Sequence, residues 1–110
     1  ERMRYFFKRN HQGQVTERDL AEFLELSLPR VSQLLRKHFH KSFSSMLNDC
    51  RLEFAENALI NSENSIESIA KLSGFGSAAY FYRQFMAKHK MTPTAFRRKK
   101  RKSHRRSASI

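Results

Sequence analysis

"SIESIAKLSGFGSAAYFYRQF", running from Ser65 to Phe85, is the stretch that decides the fold. Ile66, Ile69, Ala70 and Leu72 recur at helical spacing and are expected to face inward, until Gly74 interrupts them. Glycine tolerates the left-handed backbone that commonly closes a helix, so the first helix ends there. Ser65 and Ser77 each precede an apolar periodic run, which suits a hydroxyl that caps the first free N–H groups of a helix. The second helix carries Phe81 and Phe85 one turn apart, and Ala79, Tyr82 and Arg83 fall on its other side.

The same scheme occurs earlier in the chain. Thr16 reads as a cap with Glu17 and Asp19 behind it, and Leu20, Ala21, Phe23 and Leu24 form the inner face of a helix. Ser27 caps the next, with Pro29 in its first turn, where a missing N–H costs nothing. Val31, Leu34 and Leu35 are its core stripe, with Phe39 following. The two copies stand 49 residues apart at their start and 50 at their end, so the second turn holds one extra residue. A pair of short helices joined by a turn of three or four residues is the unit that sets its second helix in the major groove of DNA.

Around these copies the chain stays helical. Met3, Phe6 and Phe7 give "MRYFFKR" an apolar face, and "HQGQ" at 11–14 ends it. From Phe43 to Asn61 there is neither Gly nor Pro, and apolar residues including Cys50 recur at roughly helical spacing. Such a segment makes a rod of about 28 Å. "MTP" at 91–93 breaks the pattern, and Pro93 opens a short last helix containing Phe96. Beyond Lys99 no apolar residue appears until Ala108, so 99–110 reads as a disordered basic tail. The architecture expected is all-α: about seven helices over 1–98, with motifs at about 16–39 and 65–89 joined by a linker helix at about 43–61.

Composition bounds the partners. The 110 residues suffice for one ordinary domain, or for two very small ones sharing a connecting element. The formal charge of +12 points to a polyanion, but eight basic residues lie in 97–106 alone. Residues 1–96 hold 14 basic against 10 acidic side chains, a net of +4, so the tail dominates the total. One cysteine allows no intrachain disulfide and no Cys-based zinc site, which fits a reducing compartment. His38 and His40, two apart, suit no complete ligand set, and no metal or other cofactor is expected. Nothing resembles a membrane span or a signal peptide.

The stretch "SIESIAKLSGFGSAAYFYRQFMAKHKMTPTAFR" at 65–97 resembles the second-motif signature of AraC/XylS-type transcription regulators. That signature has an Ile-Ala pair, Gly-Phe, a Phe-x-Arg-x-Phe helix, Thr-Pro and a closing Phe-Arg. "RLEFAENAL" at 51–59 is similar to the family's linker helix, and "SLPRVSQLLRKHFHKSF" at 27–43 to its first recognition helix. The likeness covers about residues 5–98. The family usually has Gly where His40 and Lys90 stand, Phe at Leu35 and Arg at Gln33, so the likeness carries the fold and no base preference.

The resemblance implies a sequence-specific reader of double-stranded DNA with two recognition helices in successive major grooves. By matched positions, Pro29, Arg30, Ser32, Gln33 and Arg36 would face DNA from the first motif, and Ser77, Ala78, Ala79, Tyr82 and Arg83 from the second. Gln33 suits adenine, Arg83 a bidentate contact with guanine, and the alanines a thymine methyl. Arg36 suits phosphate, as do Ser77 and the helix N-termini. Membership also implies an N-terminal sensing or dimerisation domain outside this chain, contact with RNA polymerase, activation of transcription, and a cytoplasmic, nucleoid-associated location.

Two other classes compete. An enzyme would need paired carboxylates, a Ser/His/Asp set, a phosphate loop or a metal cluster, and none occurs at workable spacing. A non-specific cationic binder of RNA or membrane surfaces would act through the tail and ignore Arg83. "KKRK" and "RRSAS" in that tail match targeting and phosphorylation patterns, which a bacterial regulator would not use.

Overall fold

A computed structural model describes residues 2–108, with side chains as far as Ser103. Among these residues there are seven helices and no strand: α1 (Arg2–Asn10), α2 (Glu17–Leu24), α3 (Leu28–Phe39), α4 (Phe43–Asn61), α5 (Ile66–Ser73), α6 (Ala78–His89) and α7 (Pro93–Ala108). No helix among them is long and apolar enough to cross a membrane.

The caps follow the sequence closely. Thr16 and Asp19 form a reciprocal capping box at the start of α2, while Ser27, Ser65 and Ser77 each accept an N–H three residues on. The ends of α2 and α5 are alike. Leu26 N–H bonds the Ala21 carbonyl and Phe75 N–H the Ala70 carbonyl, with Glu25 and Gly74 in left-handed backbone. His40 and Lys90, where the resemblance leads one to expect glycine, adopt φ of 57° and 60° at the ends of α3 and α6. The Glu25 conformation at φ 58° carried no glycine to announce it.

The chain divides into two compact units, one up to Arg51 and one from Leu52 onward, and the division falls inside α4. The first core joins Phe6 and Phe7 of α1, Leu20 and Ala21 of α2, Val31 and Leu35 of α3, and Phe43 and Leu47 of α4. Its aromatic rings meet at short range, Phe6 with Phe23 at 5.4 Å and Phe7 with Phe43 at 5.3 Å between centroids. The second core joins Leu52, Ala55 and Leu59 of α4, Ile69 and Ala70 of α5, Phe75, Phe81 and Phe85, and Phe96 of α7. Because α4 serves two cores with its two halves, no single apolar stripe is needed along its length.

The structural repeat is longer than the sequence repeat. At the 50-residue offset, Val31 matches Phe81, Leu35 matches Phe85, and Arg51 matches Arg101. Each arginine donates to carbonyls where the first helix of its unit ends. Arg51 reaches His11 and Gly13, while Arg101 reaches Ile60 and Ser62. Arg97 adds bonds to the carbonyls of Leu59, Ser62 and Asn64. Burial, and secondarily the Arg101 charge, lower its pKa, with Glu63 acting in the opposite direction.

Three expectations need correction. Helix α7 continues through the basic run to Ala108, where a disordered tail was expected from Lys99; residues 109 and 110 lie outside the described part. Lys and Arg are good helix formers, and Arg101 anchors the helix by hydrogen bonds rather than by an apolar side chain. Leu72 is 46% exposed rather than inward, because Ile69 and Ala70 already point α5 at the core and Leu72 falls outside that stripe. Leu34 is half-buried at the margin of its core rather than within it.

Candidate nucleic-acid interface

Helices α3 and α6 are set in their units by buried pairs one turn apart. Val31 and Leu35 hold α3, and Phe81 and Phe85 hold α6, with at most 1% of any of these residues exposed. Burying side chains of this size stabilises by about 1.5–3 kcal/mol each. The opposite faces are therefore turned outward by the core, not by their own chemistry. On α3 the exposed side chains include Pro29, Arg30, Gln33 and Arg36. On α6 they include Ala79 and Arg83, with Ala78 and Tyr82 half-buried beside them and the cap Ser77 exposed.

Ser32 stands apart from its neighbours on α3. It is half-buried and donates its hydroxyl to a Glu17 carboxylate oxygen at 2.7 Å, tying α3 to the start of α2. Tyr82 packs edge-on against Phe81, with 6.2 Å between centroids, so part of its ring covers the core. Arg83 is exposed, and its guanidinium lies 5.7 Å from the Tyr80 ring centroid.

Charge is arranged at the helix ends. Helices α2 and α5 carry acids in their first turns, Glu17 with Asp19 and Glu67 respectively, whereas α3 and α6 carry none. The first turns of α3 and α6 thus contain no acidic residue that would repel phosphate from the positive helix end. The ends differ in donors. Ser27 takes the Arg30 N–H and Ser77 the Tyr80 N–H. Pro29 has no N–H to offer, while Ala78 and Ala79 both have one.

Two side chains on α6 escaped the sequence reading. Met86 is 42% exposed and lies three residues beyond Arg83, on the same outward side; the i, i+3 spacing was the available signal. Tyr80 lies three residues before Arg83 and had the same signal. The far end of α6 is fixed by Glu56 of α4, which takes Lys88 Nζ at 2.7 Å and lies 2.6 Å from His89 Nε2.

Known proteins share this fold. A family described as a helix-turn-helix domain matches residues 20–99. The chain is 41% identical over 73 residues to the urease operon transcriptional activator of Escherichia coli, 64% of this chain and 25% of that protein. It is 34% identical over 79 residues to the regulatory protein PocR of Salmonella typhimurium, 72% of this chain and 26% of that protein. The chain thus spans about a quarter of the length of these relatives. Among solved structures, the C-terminal domain of AraT, a response regulator from Geobacillus stearothermophilus, superposes with a TM-score of 0.81 at 27% identity, over 89% of this chain and 82% of that one. With two helix-turn-helix units of this construction, the chain belongs to the AraC-type family of helix-turn-helix DNA-binding domains.

Proposed function

We propose that this chain is the sequence-reading part of a larger transcription regulator, with α3 and α6 entering successive major grooves of one duplex. The observation that supports this best is the exposure of Gln33 and Arg83 at matched positions on helices anchored by the buried pairs Val31–Leu35 and Phe81–Phe85. Each lies on a helix whose first turn is free of acids. Gln33 pairs with adenine N6 and N7, Arg83 with guanine O6 and N7, and the α6 alanines meet a thymine methyl. Arg36, Ser77 and the first N–H groups of α6 hold phosphate. Pro29 and Arg30 line the entry of α3, and Ser32 acts by fixing that helix through Glu17.

The relatives are named as transcriptional activators or regulators and are three to four times longer than the matched region. An N-terminal sensing or dimerisation domain and contact with RNA polymerase complete the reading, in the cytoplasm where chromosomal DNA lies. Selection by the full chain from a random duplex library of about 30 base pairs tests it. Two enriched blocks about one helical turn apart are expected. Binding without enrichment would leave a non-specific cationic binder of RNA or membrane surfaces as the better account.

A further inference from the structure

The second motif supports its outward arginine in a way the first does not. Arg83 lies over the face of Tyr80, one turn earlier on α6. The Tyr80 ring stands 5.8 Å from that of Phe75, which stands 5.2 Å from that of Phe81, centroid to centroid. Phe75 and Phe81 are buried and Tyr80 is half-buried, so a column of three rings leads from the core to the guanidinium. The matching positions in the first motif are Leu26, Arg30 and Gln33, with no ring among them. Leu26 is 38% exposed where Phe75 is 5%. Since α3 forms and is anchored without such a column, the fold itself does not require one.

We propose that Tyr80 is a positioning residue for Arg83, holding its guanidinium in a reading orientation before DNA arrives; this rests on the assignment of Arg83 as a base contact. A long arginine side chain loses rotamer freedom when it binds, and a bidentate contact demands that two N–H groups align at once. Stacking on a ring face fixes the guanidinium plane and leaves its in-plane N–H groups available at the edge. The Tyr80 backbone is held as well, because its N–H is the one that Ser77 caps. Ring, cap and arginine therefore form one preorganised unit within the first two turns of α6.

The test is a double-mutant cycle in the full chain, read on the duplex recovered by selection and on the same duplex with the Arg83-contacted base pair replaced. Tyr80→Leu is expected to weaken binding to the selected duplex by about two- to fivefold and to reduce discrimination against the replaced pair. Tyr80→Phe keeps the ring face and is expected to retain most of the affinity and discrimination that Tyr80→Leu loses. In an Arg83→Ala background Tyr80→Leu should have no further effect. An equal loss in that background, or a loss with Tyr80→Phe as large as with Tyr80→Leu, would overturn the proposal. If Arg83→Ala alone left discrimination intact, the base-contact assignment would fail and this role with it, a result that involves no change at Tyr80. Nuclear magnetic resonance of the unaltered protein gives a check independent of any variant's folding. The Arg83 side-chain protons should show an upfield ring-current shift, and its absence would also overturn the proposal.

Discussion

Arg51 and Arg101 hold equivalent places in successive repeats, and each guanidinium clamps the end of the helix that opens its own unit. Arg51 donates from Nε to the His11 carbonyl at 2.7 Å and from Nη2 to that of Gly13 at 2.9 Å. Arg101 donates from Nε to the Ile60 carbonyl at 3.4 Å and from Nη2 to that of Ser62. In each case a charged fork bonds carbonyls at or just beyond a helix end, where the intrahelical donors run out.

Arg101→Ala should therefore release the second half of α7. Loss of amide-exchange protection from residue 99 onward is expected, with global stability lowered by about 1 kcal/mol, the scale of a partly exposed charged hydrogen bond. Unchanged protection there would show that α7 holds itself. Arg51→Ala should cost the first unit a similar amount, visible in urea titration.

His40→Gly and Lys90→Gly should each stabilise the protein by about 1 kcal/mol, since both residues hold a left-handed backbone that an L side chain resists. A rise of several degrees in Tm is the corresponding signal for a chain of this size. Gly74→Ala, at φ 102°, should act in the opposite direction.

Arg83→Ala should cost about 1–3 kcal/mol on the selected duplex and relax preference at one base pair only. Gln33→Ala should do the same at a pair in the other block. Arg36→Ala should weaken all duplexes alike and flatten the salt dependence. The comparison requires binding isotherms on matched and singly substituted sites at several salt concentrations.

Changing Arg98, Lys99 and Lys102 together to Gln leaves the Arg97 and Arg101 clamps in place and removes exposed charge from α7. If these side chains meet phosphate, the slope of log K against log salt should fall by about 0.9 for each phosphate no longer neutralised. The order of preference among duplexes should not change. A changed order would mean that α7 takes part in reading sequence.

Much of the site was legible because caps and buried pairs are local signals. Ser27 and Ser77 mark where α3 and α6 begin, and residues four apart in each mark the side that must be buried, which leaves Gln33 and Arg83 outside. Ser32 shows the limit of that logic. Its position on α3 is readable, but its partner Glu17 lies 15 residues away, and only packing brings the two together. Leu72 fails for the same reason, since periodicity assigns a stripe but not which edge of it the neighbouring elements cover.

The sequence by itself determined the helices and their order, because helical period, capping hydroxyls and the turn at Gly74 act within a few residues, while the family was carried by the resemblance of the motifs at 27–43, 51–59 and 65–97. What only the tertiary structure decided lies in contacts between residues far apart in the chain. Arg101 joins the basic run to carbonyls about 40 residues earlier and makes helix of what composition describes as tail. Glu56 of α4 fixes the far end of α6 through Lys88 and His89, 32 and 33 residues further on. Burial and hydrogen bonding at such distances depend on where the backbone goes, and no local periodicity records that.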